Sequence, residues 1–98
     1  KIDVIFTALP HGEAYMVAKR LRKDSVLIDL SADFRISSKS VYEKWYKVPH
    51  LAIDKQKNAV YGLSEINRSL IKKTNIISCP GCYPTSILLP LIPLLKKN

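Results

Sequence analysis

Two strand-like segments rich in apolar residues, Ile2–Leu9 and Ser25–Leu30, flank a stretch with the periodicity of an amphipathic helix at residues 12–23. Within that stretch, apolar side chains recur at positions i, i+3, i+4 and i+7, namely Ala14, Val17, Ala18 and Leu21. Apolar strands without polar alternation are typical of parallel sheets, whose faces are covered by helices. Because strand, helix and strand follow one another within about 30 residues, the pattern predicts a βαβ unit.

The rest of the chain continues this alternation. We expect, in chain order, a helix capped by Ser37 or Ser38 and ended by Pro49, a surface loop at His50–Asn58, a short strand at Ala59–Tyr61, a helix capped by Ser64, a strand at Asn75–Cys79 and a helix from Cys82. Three aromatic residues at helical spacing are predicted to be core residues, namely Tyr42, Trp45 and Tyr46. The predicted fold class is α/β, with a partial Rossmann-like, mostly parallel sheet flanked by helices.

Length, charge and cysteine content exclude several classes of protein. A chain of 98 residues with 47% hydrophobic residues fits one small cytoplasmic globular piece rather than a disordered segment. Two cysteines are too few for a disulfide-stapled secreted scaffold. The longest apolar run, Ile87–Leu95, is too short to cross a bilayer, so no membrane association is expected. The net charge of +8 comes from scattered basic residues, many near predicted helix ends, so no nucleic-acid partner is expected.

The strongest local motif is Cys79–Thr85 (CPGCYPT), between a β-branched strand and an apolar helix. Pro80 and Gly81 predict a tight turn that places Cys82 at or near the helix N-terminus. Unpaired backbone N–H groups at such a position stabilise a thiolate and can hold an oxyanion, so Cys82 is a candidate nucleophile. Cys79 has three interpretations: a buried residue at the strand end, one half of a redox pair with Cys82, or a ligand of a zinc site that would need two further ligands.

Two further residues are candidates for ligand binding. Arg35 could hold a phosphate or carboxylate through its guanidinium group, or could instead pair with Asp29 or Asp33. Ser31 follows the carboxyl end of a predicted strand, where open α/β sheets bind their ligands. The three glycines do not form the Gly-x-Gly-x-x-Gly turn of a dinucleotide-binding fold, so we expect that turn before Lys1.

Four blocks of sequence resemble, in order, the N-acetyl-γ-glutamyl-phosphate reductases, which are arginine-biosynthesis enzymes of the aspartate-semialdehyde-dehydrogenase-like superfamily. These blocks are Leu9–Gly12 (LPHG), Asp29–Arg35 (DLSADFR), Tyr61–Glu65 (YGLSE) and Ile77–Thr85 (ISCPGCYPT). The resemblance implies a small acyl-phosphate substrate, NADPH as the cofactor, no bound metal and a homo-oligomer at full length. Cys82 matches the nucleophile of that family, which attacks the acyl phosphate to form a thioester that is then reduced to an aldehyde.

The same resemblance guides the assignment of the remaining site residues. Arg35 is the candidate substrate-binding residue. The turn Pro10–Gly12, with His11 at its centre, lies where a helix N-terminus is expected to approach a cofactor phosphate. Pro10, His11, Gly12 and Ser31 are therefore the candidate cofactor contacts.

The resemblance also implies that this chain is a segment of a longer one. Residues 1–80 would be the C-terminal part of a dinucleotide-binding domain, and residues 81–98 the start of the catalytic region with its cysteine helix. The family's base is a histidine of another domain, so neither His11 nor His50 takes that role, and the segment alone is expected to be inactive. Two alternatives stay open: a carrier-linked aminoadipyl-phosphate reductase of lysine biosynthesis, and a non-catalytic basic anion-binding fragment.

Overall fold

A computed structural model of the protein describes residues 1–97. It contains nine elements in chain order: β1 (Val4–Thr7), α1 (Ala14–Lys19), β2 (Val26–Asp29), α2 (Lys39–Tyr46), α3 (Ile53–Gln56), β3 (Ala59–Tyr61), α4 (Ser64–Ile71), β4 (Ile76–Ser78) and α5 (Cys82–Lys96). The four strands form one sheet in the order β1-β2-β4-β3, and every neighbouring pair is parallel. The α/β prediction, with a parallel sheet flanked by helices, is therefore confirmed.

One face of the sheet carries the core of the described residues. Buried apolar side chains from the sheet, from α1, from the loop after β2 and from the segment before α3 pack together there, namely Ala14, Ala18, Leu27, Phe34, Ala52 and Ile76. Side chains alternate between the two faces along a strand, so Val4 and Phe6 point away from this core. Phe6 is 69% exposed, so the described residues leave the second face of the sheet partly open.

Three local expectations from the sequence are wrong. The segment His50–Asn58 is not a surface loop, because it contains α3 and buries the side chains of His50 and Gln56. Trp45 is 71% exposed, whereas Tyr42 on the same helix is buried. Ser64 is the first residue of α4 rather than its cap, which is Leu63.

Other boundaries agree closely with the sequence pattern. Ser38 is the N-cap of α2, where its hydroxyl oxygen accepts a hydrogen bond from the Val41 N–H. The last helix, α5, begins at Cys82 as expected and continues through Pro90 and Pro93. No helix within residues 1–97 combines the length and hydropathy that a membrane span requires.

Candidate functional site

The carboxyl ends of the four strands meet in one row across the sheet. The strand register aligns their last residues, namely Thr7, Asp29, Ser78 and Tyr61. The turn Pro10–Gly12, the loop Ser31–Arg35 and the turn Cys79–Cys82 all leave from this edge. Because Tyr61 ends β3 in the same row, the parallel topology brings all four sequence blocks together where ligands bind in open α/β sheets.

Cys82 is the first residue of α5 and is exposed. The preceding Gly81 is the N-cap with extended backbone angles, and no side chain caps the helix start. The Thr85 N–H and hydroxyl both donate to the Gly81 carbonyl, at 3.0 and 2.8 Å, which fixes the first turn. Cys82 therefore belongs to the helix turn that carries the uncapped N–H groups and the positive end of the helix dipole.

Cys79 lies in different surroundings three residues earlier. It is half-buried, and its backbone N–H donates to the Asp29 carbonyl at 2.7 Å, continuing the sheet pairing past β4. Burial raises the pKa of the Cys79 thiol, and the Asp29 carboxylate raises it further, while Arg35 opposes this shift. Both cysteines are free thiols. Within residues 1–97, no three or more His, Cys, Asp or Glu side chains come together as a metal site.

Arg35 connects the loop after β2 to the turn that carries Cys82. Its Nε donates to the Cys79 carbonyl and its Nη2 to the Leu30 carbonyl, both at 2.9 Å. The sequence left open that Arg35 pairs with Asp29 or Asp33, but among the described residues Arg35 forms no ion pair with either carboxylate. Its remaining nitrogen, Nη1, faces Gly81, where an added Cβ would lie 3.5 Å from it.

A pocket of about 470 Å³ lies beside this arginine. It is lined by Arg35, Ile36, Tyr46, Tyr61, Gly81 and Pro84. The cationic group and the start of α5 thus border one concavity, and Cys82 lies in the chain between two of its lining residues, Gly81 and Pro84, without lining it. Sequence reasoning missed Tyr46 and Tyr61 as lining residues, because the first was assigned to the core and the second only to a motif.

The turn Pro10–Gly12 differs from the expectation of a phosphate-binding helix start. The Gly12 and Ala14 N–H groups donate to the two carboxylate oxygens of Asp33, at 2.7 and 2.9 Å. These two donors are therefore already paired with a carboxylate of the protein, and a cofactor contact at this turn stays a prediction. His11 is exposed and packs edge-on against Tyr46, with ring centroids 5.0 Å apart.

Ser31 is likewise hydrogen-bonded within the protein. Its side chain is buried, and its hydroxyl donates to an Asp29 carboxylate oxygen at 2.7 Å. The Ser31 N–H and the Thr7 hydroxyl donate to the other Asp29 oxygen, at 3.1 and 2.8 Å. The hydroxyl and the backbone N–H of Ser31 are thus both paired with Asp29, and they support the end of β2.

A larger cavity, of about 590 Å³, lies at the opposite end of the strands. Its lining includes residues that precede β2, β3 and β4, namely Ser25, Asn58 and Asn75. The amino ends of parallel strands are not where such sheets bind ligands. The smaller pocket, which Arg35 lines at the carboxyl ends of the strands, is therefore the candidate site.

Comparisons with known proteins show what the chain is similar to. Residues 1–74 match the family described as semialdehyde dehydrogenase, NAD binding domain. The chain is 50% identical over 97 residues to "Probable N-acetyl-gamma-glutamyl-phosphate reductase, chloroplastic" of Arabidopsis thaliana, covering 99% of this chain and 24% of that protein. It is 50% identical to the N-acetyl-gamma-glutamyl-phosphate reductase of Desulforudis audaxviator, covering 100% of this chain and 29% of that protein. It is 54% identical to that of Desulforamulus reducens, covering 98% and 28%. The chain thus spans less than a third of the length of these relatives.

Proposed function

The chain belongs to the semialdehyde dehydrogenase NAD-binding family, and from that membership we propose that it is a segment of an NADPH-dependent N-acetyl-γ-glutamyl-phosphate reductase. The observation that carries this proposal is the exposed Cys82 at the start of α5, beside Arg35, in a chain so similar to proteins of that name. Residues 1–80 would complete the dinucleotide-binding domain, and residues 81–98 would begin the catalytic region.

Cys82 is the proposed nucleophile. Its thiolate attacks the acyl carbon of the substrate, a carbon–sulfur bond forms, and the carbon–oxygen bond to phosphate breaks so that phosphate leaves. The N–H groups at the start of α5 are placed to stabilise the negative oxygen that develops during this attack. When bound, NADPH would supply the hydride that reduces the thioester carbon. The carbon–sulfur bond then breaks, which releases the semialdehyde and returns the electron pair to the Cys82 sulfur.

Arg35 is proposed to bind the anionic substrate. Two of its nitrogens are held by the carbonyls of Leu30 and Cys79, so the side chain is fixed before a ligand arrives. The remaining Nη1 borders the pocket beside Gly81 and can donate to a phosphate or carboxylate oxygen. A preorganised cation of this kind loses little side-chain entropy on binding.

We propose fewer cofactor-contacting residues than the four that the sequence suggested. Pro10 and the exposed His11 remain available at the carboxyl edge of the sheet, which fits the approach of a dinucleotide to the side of the strands nearest Cys82. Gly12 and Ser31 are proposed to shape and support this edge, since their hydrogen-bonding groups are already paired. The preference for NADPH over NADH rests on the resemblance.

Two further properties are proposals for the full-length protein. A cytoplasmic location is inferred from the resemblance to a biosynthetic enzyme, although the Arabidopsis relative is described as chloroplastic. A homo-oligomer is inferred from the same resemblance. Large apolar side chains such as Phe6 and Trp45, which are mostly exposed within the described residues, leave apolar surface for contacts with further protein.

The test of the proposed function compares Cys82→Ser with Cys79→Ser in the full-length reductase. We expect Cys82→Ser to lower kcat for reduction of N-acetyl-γ-glutamyl phosphate by at least about 10³-fold. Cys79→Ser is the matched control, and most of its activity should remain because its thiol is half-buried and protonated. A Cys82→Ser enzyme that keeps wild-type turnover would overturn the proposal.

A further inference from the structure

Asp33 is a buried carboxylate that no sequence motif assigns to the reaction. It is 3% exposed, and its oxygens accept hydrogen bonds from the Gly12 N–H, the Ala14 N–H and the Tyr42 hydroxyl, at 2.7, 2.9 and 3.2 Å. Burial, and then the adjacent Asp33 carboxylate, raise the pKa of Tyr42, so its hydroxyl stays a donor at neutral pH. Among the described residues no cation pairs with Asp33. All three of its hydrogen-bond donors are neutral groups.

These bonds join three separate segments of the chain. The Gly12 and Ala14 N–H groups belong to the turn after β1 and the start of α1, and the Tyr42 hydroxyl belongs to α2. Asp33 itself lies in the loop after β2. A single carboxylate therefore fixes that loop against two helices from different parts of the sequence.

The same loop carries Arg35, only two residues later. The Arg35 backbone N–H donates to the Ala32 carbonyl at 3.2 Å, and the Phe34 carbonyl accepts a hydrogen bond from the Gln56 side chain at 2.9 Å. These two bonds restrain the backbone of the loop from Ala32 to Arg35. The guanidinium then reaches the Cys79 carbonyl in the turn before Cys82. Asp33 is thus connected to the turn before the proposed nucleophile through two residues of restrained backbone and the Arg35 side chain.

We propose that Asp33 is a positioning residue: its carboxylate fixes the loop that presents Arg35 to the anionic substrate beside Cys82. The inference rests on the proposed function for its kinetic consequences. The Asp33 carboxylate occupies two N–H groups at the start of α1, whereas no side chain caps the start of α5.

The decisive experiment is a double-mutant cycle in the full-length reductase with Asp33→Asn and Arg35→Lys. The Asn amide keeps the size of Asp but turns an NH₂ group toward one of the two backbone donors, which leaves that donor unpaired. We expect Asp33→Asn to raise KM for the acyl phosphate by about 10- to 100-fold. In the Arg35→Lys background, Asp33→Asn should have little further effect, because both changes remove the same placement.

Two results would overturn the inference. The first is additivity: Asp33→Asn raises KM for the acyl phosphate as much in the Arg35→Lys background as in the wild-type enzyme. The second is a folded Asp33→Asn enzyme whose KM equals that of the wild type. If Asp33→Asn does not fold, Tyr42→Phe takes its place in the cycle, since it removes one of the three bonds. Its expected rise in KM is smaller and must likewise vanish in the Arg35→Lys background. Asp54→Asn, a change of an exposed acid on α3, is the control and should leave KM unchanged.

A second readout separates this inference from the proposed function. Amide hydrogen exchange at Gly12 and Ala14 reports the two backbone bonds without any turnover. We expect Asp33→Asn to speed exchange at both amides by about tenfold or more, while exchange at strand amides such as Leu27 stays unchanged. If Asp33→Asn speeds exchange but the full-length protein reduces no acyl phosphate, the proposed function is refuted, whereas the role of Asp33 in holding the loop after β2 is supported. If exchange in Asp33→Asn is unchanged, that role is refuted.

Discussion

Cys79 and Cys82 are three positions apart, yet their surroundings give them different chemistry. Cys82 is exposed at a helix start, whereas Cys79 is half-buried and its thiol pKa is raised by burial and by Asp29. A raised pKa lowers the thiolate fraction at any pH below it, and the thiolate is the form that reacts. The two thiols should therefore differ in reactivity toward the same reagent.

Alkylation with iodoacetamide tests this difference. Between about pH 6 and 8, we expect Cys82 to be alkylated well before Cys79 in the folded protein. Cys79 should become reactive only as the pH rises above the ordinary thiol range. Mass spectrometry of Cys79→Ser and Cys82→Ser, each with a single thiol, gives the two rates separately. Equal slow rates at neutral pH would contradict the assignment of Cys82 as the nucleophile.

At the scale of single elements, the start of α2 distinguishes two candidates that the sequence left equal. Ser38 is the N-cap and accepts a hydrogen bond from the Val41 N–H, whereas Ser37 is exposed and makes no such bond within the described residues. We expect Ser38→Ala to lower the free energy of unfolding by about 1 kcal/mol. Ser37→Ala is the matched control, and chemical denaturation should find it unchanged. Equal effects of the two substitutions would mean that the cap is misassigned.

The close approach of the chain after β3 to β4 depends on a residue without a side chain. The Gly62 N–H donates to the Ser78 carbonyl at 2.7 Å, and a Cβ at Gly62 would lie 2.9 Å from Ile77 Cγ2 and 3.1 Å from the Ser78 oxygen. Since backbone stands on one side of this contact, Gly62→Ala should destabilise the protein by about 1–3 kcal/mol. Ser69→Ala, on the exposed side of α4, serves as the control in the same denaturation series. A neutral Gly62→Ala would show that β3 and its turn can move away from β4 without cost.

At the scale of the whole molecule, local patterns predicted the elements but not their partners. The strands and α1 follow from the apolar periodicity, and Cys82 follows from a turn and a helix start, because these are properties of neighbouring residues. The role of Asp33 could not be predicted in this way, since it depends on donors 19 and 21 residues earlier in the chain. Trp45 was misassigned because helical periodicity shows which residues share a face but not which face is covered.

The unequal covering of the two sheet faces gives the last prediction, and the two phenylalanines of the chain test it as a matched pair. Phe34 is 1% exposed in the core, whereas Phe6 is 69% exposed on the open face. In the 98-residue chain, Phe34→Ala should therefore cost about 3–5 kcal/mol of unfolding free energy, and Phe6→Ala no more than about 0.5 kcal/mol.

Sedimentation of the same two variants tests the open face directly. An exposed apolar patch favours association, so we expect the wild-type 98-residue chain to self-associate with increasing concentration and Phe6→Ala to weaken that association. The unfolding free energies of both variants are measured by chemical denaturation at concentrations where the chains are monomeric. If Phe6→Ala proved as destabilising as Phe34→Ala in the monomer, the second face of the sheet would have to be covered within these 98 residues, contrary to the packing described above.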